Sequence, residues 1–428
     1  MHADEAILAD KFGTLLEQGR FEYDPRDYHG PVLEYATLVS AWLSGRHTYR
    51  DLDERVLRIV PAAAGVAVAL SPLLLAGVIG PMAAVSAGLL IAISAPMVFY
   101  SRDYIPEMLL ALFTAVFVAQ AARGKWIAAG LFAGLAVCTK ETAVIAIAAG
   151  LLAFARPRWD DLLRFSIPFA AAPLLLLGPA DIGGAAVSYW NRAGSVASHV
   201  HPWHYYLLLL VKGAPAVLIG AVAAAAMTWW KSANRRWAVY AGVVIAVYSA
   251  IPYKTPWCVV SMLWALAVLA GCAVRDMGER GARWGAVAFG LLAAASVVVG
   301  PKTELWGYAE TTPDVFRIAA SVRRFAPDTQ TRIGVYTTEN LWPLPWYLRM
   351  YPNARWSRQG PGAGSGRPPA IVLVTPELES QLTRALYESP PPGERELYVP
   401  MFPQPVEIRR GVEISGYVAK SVYDGAAE

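Results

Sequence analysis

The stretch VLRIVPAAAGVAVALSPLLLAGV, residues 56–78, decides the class of protein, because Arg58 is its only charged residue. An apolar run of about 20 residues is long enough to cross the hydrocarbon core of a bilayer as an α-helix. Similar runs recur as far as residue 300, and together they predict ten membrane spans. The predicted spans are 56–78, 81–100, 104–122, 126–138, 142–155, 162–180, 204–230, 237–253, 256–274 and 284–300.

The composition agrees with a membrane protein. Hydrophobic residues make up 56% of the 428 positions and charged residues 16%, whereas soluble domains carry about 25% charged residues. The formal net charge of +4, without a basic tract interleaved with aromatic residues, indicates that nucleic acid is not a partner. Cys138, Cys258 and Cys272 lie inside apolar runs, so we expect buried side chains and no zinc site or disulfide framework.

Two polar segments flank the predicted spans. Residues 1–55 are acidic, and the patterns at 2–19 and 31–45 predict helices that lie on the membrane surface. In residues 301–428, TRIGVYTT (331–338) and PAIVLVT (369–375) predict strands. In the same segment, 312–326 and 376–388 predict helices, and GPGAGSGRPP (360–369) predicts a flexible loop. The expected architecture is an all-α polytopic membrane bundle, 56–300, with a C-terminal soluble α/β domain, 301–428.

The basic residues predict the orientation of the bundle. One set of loops carries eleven of them and the alternate set carries four, and the richer set is expected to face the cytoplasm. The poorer set holds Arg102, Lys140, Arg192 and Lys254. We therefore expect a multi-pass protein of the cytoplasmic (inner) membrane whose N-terminal segment and C-terminal domain are extracytoplasmic.

The first predicted span conflicts with this orientation. Arg46, Arg50, Arg55 and Arg58 lie on its N-terminal side, so the span alone would insert with those arginines in the cytoplasm. A transmembrane helix upstream of Met1 would remove the conflict, and we expect one to precede it. The alternative is an N-terminal tail that faces outward without such a helix.

Candidate chemistry collects in the outward loops. Asp4 and Glu5 are adjacent carboxylates, which either cap the start of a helix or supply a general base. YSRDYIPEML (100–109) holds Arg102, Asp103 and Glu107, and the two acids share a helix face if the helix begins early enough. The alternative for this segment is a snorkelling arginine with an acidic partner.

Three further clusters place cations and imidazoles on the same side. Lys140, in CTKETAV (138–144), lies between two half-length apolar runs, a position that suits an ion or phosphate site or a plain turn. His199 and His201 lie in SHVHPWHYY (198–206), which fits metal or phosphate binding, or an aromatic belt. Lys254, between two prolines in IPYKTPWC (251–258), suits a lipid-linked phosphate or a helix C-cap.

These motifs, together with YHGP (28–31) and WPLPWYLR (342–349), occur in the order seen in a family of archaeal and bacterial membrane proteins. The chain resembles the flippase activity-associated proteins over nearly its whole length. That family is similar to the wider GT-C glycosyltransferase superfamily, which includes protein O-mannosyltransferases and the lipid A aminoarabinose transferase.

The resemblance implies an inverting transfer of a sugar from a polyprenyl-phosphate carrier to an extracytoplasmic acceptor. It implies Asp4 as the general base with Glu5 beside it, and a second acidic site at Glu107 with Asp103 near it. It implies that Lys254, Arg102 or Lys140 holds the carrier phosphate near His199 and His201. Some relatives use a divalent metal and others do not, so a metal is left open. The implied partners are the polyprenyl-phosphate-linked sugar, membrane lipids and an unidentified acceptor.

Two other functions remain open at this stage. A flippase or transport-associated subunit is expected to bind its substrate near the bilayer midplane between internal repeats, and the charges here collect on one side without a visible repeat. A non-catalytic assembly partner would present the C-terminal domain to another protein. The sugar, the acceptor and the carrier length have no signal in the sequence.

Overall fold

The computed structural model describes residues 1–24, 29–155, 158–193, 199–227, 234–278, 303–307, 310–360, 369–389 and 395–426, with 283, 287, 290, 291, 391 and 393. The chain divides into two compact units. The larger comprises Thr14–His47 and Leu52–Tyr308, and the smaller comprises Met1–Gly13, Thr48–Asp51 and Ala309–Glu428. The predicted span at 284–300 and the predicted loop at 360–369 lie almost wholly outside the described residues.

The larger unit is helical. Its described helices of eight residues or more are Val32–Leu43, Glu54–Leu70, Pro81–Ala92, Glu107–Ala122, Trp126–Thr139, Ala143–Phe154, Trp159–Leu176, Pro179–Ala193, Tyr205–Gly213, Pro215–Met227, Arg235–Ala250 and Val259–Asp276. Shorter helical turns are Ser71–Leu75, Ala76–Ile79, Ala95–Tyr100, Pro256–Cys258 and Thr303–Trp306. These helices occupy the predicted apolar runs, and the helix Pro179–Ala193 lies where the sequence predicted a loop.

Proline explains where the helices differ from the predicted runs. Pro96 lies just after the break between Pro81–Ala92 and Ala95–Tyr100, Pro106 precedes the helix that begins at Glu107, and Pro215 begins a new helix. Proline lacks the backbone N–H that continues a helix and clashes with the preceding turn. Among the described residues, Glu54–Ile79 and Pro256–Asp276 are long and apolar enough to cross a membrane, and Tyr205–Gly213 with Val217–Ala226 adds a third if the bent pair is one span. The count of ten spans stays a prediction.

The helix Val259–Asp276 forms the centre of the larger unit. Every residue from Val259 to Val274 is buried, and the helix packs against Pro81–Ala92 and Pro215–Met227. A Cβ at Gly271 would lie 2.3 Å from the Ala83 carbonyl oxygen, so glycine is what permits this close helix contact. The helical turn Pro256–Cys258 leads directly into the central helix, so the buried start of this helix anchors the loop that carries Lys254.

The smaller unit contains a mixed six-stranded sheet. Its strands are β1 (Ile333–Tyr336), β2 (Ala354–Ser357), β3 (Ile371–Val374), β4 (Tyr398–Pro400), β5 (Val406–Arg409) and β6 (Val412–Ala419). The order is β2-β1-β3-β6-β4, with β5 also paired to β6. β1 runs parallel to β2 and β3, and β6 runs antiparallel to β3. The predicted strands at 331–338 and 369–375 are β1 and β3.

Helices cover both faces of this sheet. Val315, Ile318 and Val322 of the helix Asp314–Phe325 pack with Ile333 and Leu373 in one core. On the other face Val372 and Val374 pack with leucines of 376–388, where the predicted single helix is divided into Pro376–Leu378, Glu379–Thr383 and Arg384–Glu388. The predicted α/β character of this segment is confirmed.

Candidate active site

Glu5, the second of the two N-terminal acids, caps a helix. The helix Ala3–Gln18 begins with Asp4 and Glu5 in its first turn. The Glu5 carboxylate accepts the backbone N–H of His2 at 2.8 Å, and the His2 Nδ1 accepts the backbone N–H of Asp4 at 3.2 Å. This reciprocal arrangement resembles a capping box with His2 as the N-cap residue, except that the His2 side chain accepts from the second helical residue and not from the third. Glu5 therefore forms the predicted cap.

Glu5 and Asp4 differ in their exposure to solvent. Glu5 is 1% exposed and its carboxylate is engaged with the chain at His2. The Asp4 side chain is about one-third exposed (34%), and one of its carboxylate oxygens lies 3.9 Å from the His2 Nδ1. Because Asp4 reaches the surface, its carboxylate is the more accessible of the pair to another molecule.

Glu107 and Lys140 form a buried ion pair. The Lys140 ammonium donates to Glu107 Oε1, and the two residues are 6% and 4% exposed. The sequence predicted Glu107 as part of a second acidic site and Lys140 as a ligand of the carrier phosphate, and did not pair them. A buried cation that already has a carboxylate partner offers less charge to a phosphate, because its field is largely compensated.

Several sequence motifs meet around this ion pair. His29 of the YHGP motif forms an isolated antiparallel bridge with Lys140, and the Gly30 N–H donates to the Thr139 carbonyl at 3.3 Å. A Cβ on Gly30 would lie 1.9 Å from the Cys138 oxygen, so this crossing requires glycine. The Lys140 ammonium also lies 5.6 Å from the Trp257 ring. His29 and Trp257 were not among the predicted site residues, although both lie in quoted motifs.

Lys254 is a buried cation of a different kind. It is 1% exposed, and its ammonium donates to the His201 carbonyl at 3.1 Å and to the Ile251 carbonyl. Within the part of the chain that the structure describes, no carboxylate pairs with it. Burial lowers the pKa of Lys254 because it disfavours the charged form. An anion that entered this position would meet an ammonium whose charge no acid has neutralised.

Backbone pairing holds His199 and His201 beside Lys254. The Lys254 N–H donates to the His199 carbonyl at 2.9 Å, the His201 N–H donates to the Pro252 carbonyl at 3.3 Å, and Val200 forms an antiparallel bridge with Tyr253. Burial, then His199, then Lys254 lower the pKa of His201. The loops at 199–204 and 251–255 therefore form one joined element that places two imidazoles next to a buried ammonium.

The remaining predicted site residues lie at the edge of this region. Arg102 is exposed and Asp103 is half-buried in the turns that precede the helix Glu107–Ala122. Because that helix begins at Glu107, Asp103 does not share a helix face with it, and the condition for the predicted acidic pair is not met. Among the described residues, no group of three or more histidine, cysteine, aspartate or glutamate side chains is arranged to hold a metal ion.

Comparison with known families and structures gives a family match over part of the chain and structural matches over nearly the whole chain. A model of the dolichyl-phosphate-mannose-protein mannosyltransferase family matches residues 29–180. ArnT from Cupriavidus metallidurans bound to undecaprenyl phosphate superposes with a TM-score of 0.67 at 14% identity, over 96% of this chain and 93% of ArnT. The chain therefore has a fold similar to that of ArnT.

Further structures agree with this fold. The apo state of the same ArnT gives a TM-score of 0.64 at 15% identity, again over 96% of this chain and 93% of that one. The apo oligosaccharyltransferase of Archaeoglobus fulgidus gives 0.54 at 14% identity, over 83% of this chain and 60% of that one. No curated protein matches the sequence. The chain is a multi-pass helical membrane protein with a C-terminal soluble α/β domain, as predicted.

Proposed function

We propose that this protein is an inverting glycosyltransferase that moves a sugar from a polyprenyl-phosphate carrier to an acceptor outside the cytoplasm. The observation that carries the proposal is Lys254, a buried ammonium with carbonyl partners and two neighbouring imidazoles. Two findings support the class of donor. The fold extends over nearly all of an ArnT that was crystallised with undecaprenyl phosphate, and the matching family model describes a dolichyl-phosphate-mannose transferase.

Lys254 is the group best suited to hold the carrier phosphate. The departing group in this reaction is a phosphate monoester, which needs fixed positive charge more than a proton. Lys140 is less suited, because Glu107 already compensates its charge, and Arg102 is exposed to solvent. His199 and His201 add hydrogen-bond donors at the same loop junction. We assign Lys140 and Glu107 to holding the loops together.

Asp4 is the proposed general base. Its carboxylate takes the proton of the acceptor hydroxyl while the acceptor oxygen bonds to the anomeric carbon. The bond from that carbon to the phosphate oxygen breaks, and the polyprenyl phosphate leaves with the electron pair. An inverting displacement needs base and leaving group on opposite faces of the sugar. Glu5 serves this role indirectly by fixing the start of the helix that carries Asp4.

The predicted topology belongs to the same proposal. Ten spans, with the N-terminal segment and the C-terminal domain extracytoplasmic, would place these loops on the outer side of the inner membrane. Cysteine labelling of intact cells at positions 4 and 314 tests this orientation, because a membrane-impermeant maleimide would label both if they face outward.

The catalytic assignment is tested in liposomes that contain the purified protein, a polyprenyl-phosphate-linked sugar and a mixture of candidate acceptors. The protein should release free polyprenyl phosphate and glycosylate an acceptor. Asp4→Asn should lower the transfer rate by at least about a hundredfold and leave donor affinity within twofold, since a positioned base contributes about 10²–10⁴-fold. Unchanged transfer in Asp4→Asn would refute the assignment. Movement of intact donor across the bilayer without transfer would favour a flippase.

A further inference from the structure

The motif WPLPWYLR (342–349) has no assigned part in the reaction, and it packs against the segment that carries Asp4. The Met1 nitrogen donates to the Tyr347 hydroxyl at 2.7 Å, and the Thr311 hydroxyl donates to the Met1 carbonyl at 2.8 Å. Thr311 itself bridges to Arg409 of β5. The backbone three residues before Asp4 is therefore bonded on both sides to the sheet domain.

A second attachment lies farther along the same helix. Tyr49 packs edge-on against Trp346, with ring centroids 5.7 Å apart, and the Tyr49 ring also touches the helix backbone at Gly13. A Cβ on Gly13 would lie 2.4 Å from the Tyr49 ring, so glycine at this position is what lets the ring approach. The contact therefore joins the motif to the helix through one aromatic side chain.

The motif is itself rigidly held. Trp346 is fully buried, and the Arg349 guanidinium lies 3.8 Å from its ring centroid while donating to the Trp346 carbonyl at 2.8 Å. Tyr347 packs edge-on against Phe316, with ring centroids 5.3 Å apart. Side chains fixed in this way lose little further conformational freedom when they hold a neighbouring segment.

Two attachments fix the direction of the helix as well as its position. Ala3 and Gly13 are about 15 Å apart along a helix, and one attachment lies near each of these residues. We propose that Trp346 and Tyr347 are positioning residues for the Asp4 carboxylate, so that the α/β domain is part of the catalytic machinery. This inference rests on the proposed function, because it gives Asp4 the role of base.

The test is a double-mutant cycle in the liposome transfer assay. Tyr347→Phe removes the hydroxyl bonded to the Met1 nitrogen and keeps the ring. It should lower kcat by about five- to tenfold, the effect of one net hydrogen bond, with donor affinity within twofold. In an Asp4→Asn background, measured in single turnover, the same change should alter the residual rate by less than twofold, because its effect passes through Asp4.

Tyr398→Phe is the matched control. Its hydroxyl donates to the Pro369 carbonyl at 2.7 Å, and its ring packs on the other face of the sheet, so it should leave kcat unchanged. Hydrogen exchange of residues 3–13 should quicken in Tyr347→Phe and not in Tyr398→Phe. A kcat within twofold of wild type in Tyr347→Phe, or an equal loss in both backgrounds, would overturn the inference. Full transfer by Asp4→Asn alone would instead refute the proposed base.

Discussion

Replacing Lys254 with methionine should weaken donor binding. An ammonium has three N–H donors, and the carbonyls of His201 and Ile251 take two of those of Lys254. One donor is left for a phosphate oxygen. A hydrogen bond to a charged group contributes about 1.5–3 kcal/mol, and 1.4 kcal/mol is about tenfold in affinity. The expected loss is therefore about 10- to 150-fold in Kd.

The assay is equilibrium binding of a fluorescent polyprenyl-phosphate analogue to the purified protein in detergent. Lys212→Met is the matched control, because Lys212 is an exposed lysine at the end of the nearby helix Tyr205–Gly213. It removes the same formal charge and should change Kd by less than twofold. A folded Lys254→Met variant that binds the analogue within twofold of wild type would refute the assignment of the phosphate site.

Two other predictions concern the neighbouring charges. Lys140→Met should lower the free energy of unfolding by about 3–5 kcal/mol, because it leaves the Glu107 carboxylate buried and unpaired. Adding Glu107→Gln should restore most of the lost stability. Equal stability of the single and double variants in denaturant titrations would contradict this prediction. Donor affinity should rise as the pH falls from 8 to 6, by at most about tenfold per pH unit for one proton. The pKa of His201 is lowered in the protein without donor, and the negative charge of the bound phosphodiester should raise it. The dependence should flatten in His201→Gln, and a curve of unchanged slope in that variant would exclude His201 as the titrating group.

Much of the fold follows from the sequence because apolar runs and proline positions are local signals. The runs predicted helices of the larger unit, and the apolar segments at 331–338 and 369–375 predicted β1 and β3. Strands β2, β4, β5 and β6 were not predicted, because an edge or hairpin strand is stabilised by its partners more than by its own pattern. The single helix expected at 376–388 is divided into three short helical segments.

The sequence marked candidate site residues one by one but gave no signal for their pairings. The sequence marked Lys140, Glu107 and Lys254 as charges near apolar runs, and it treated the two lysines alike. Their difference arises from tertiary contacts, because Glu107 lies 33 positions from Lys140 in the chain and no spacing rule joins them. The backbone bridge between Val200 and Tyr253 also joins residues far apart in the chain, and no local sequence pattern predicts it. The cap formed by Glu5 was predictable, because capping contacts are local.

The most direct measurement is a cryo-EM structure of the protein with a polyprenyl-phosphate analogue bound. The phosphorus should lie within about 4 Å of the Lys254 Nζ, as expected for one charge-assisted hydrogen bond to a phosphate oxygen, with His199 or His201 beside it. A phosphate bound elsewhere, with the Lys254 ammonium still held by carbonyl groups alone, would contradict the assignment of the donor site.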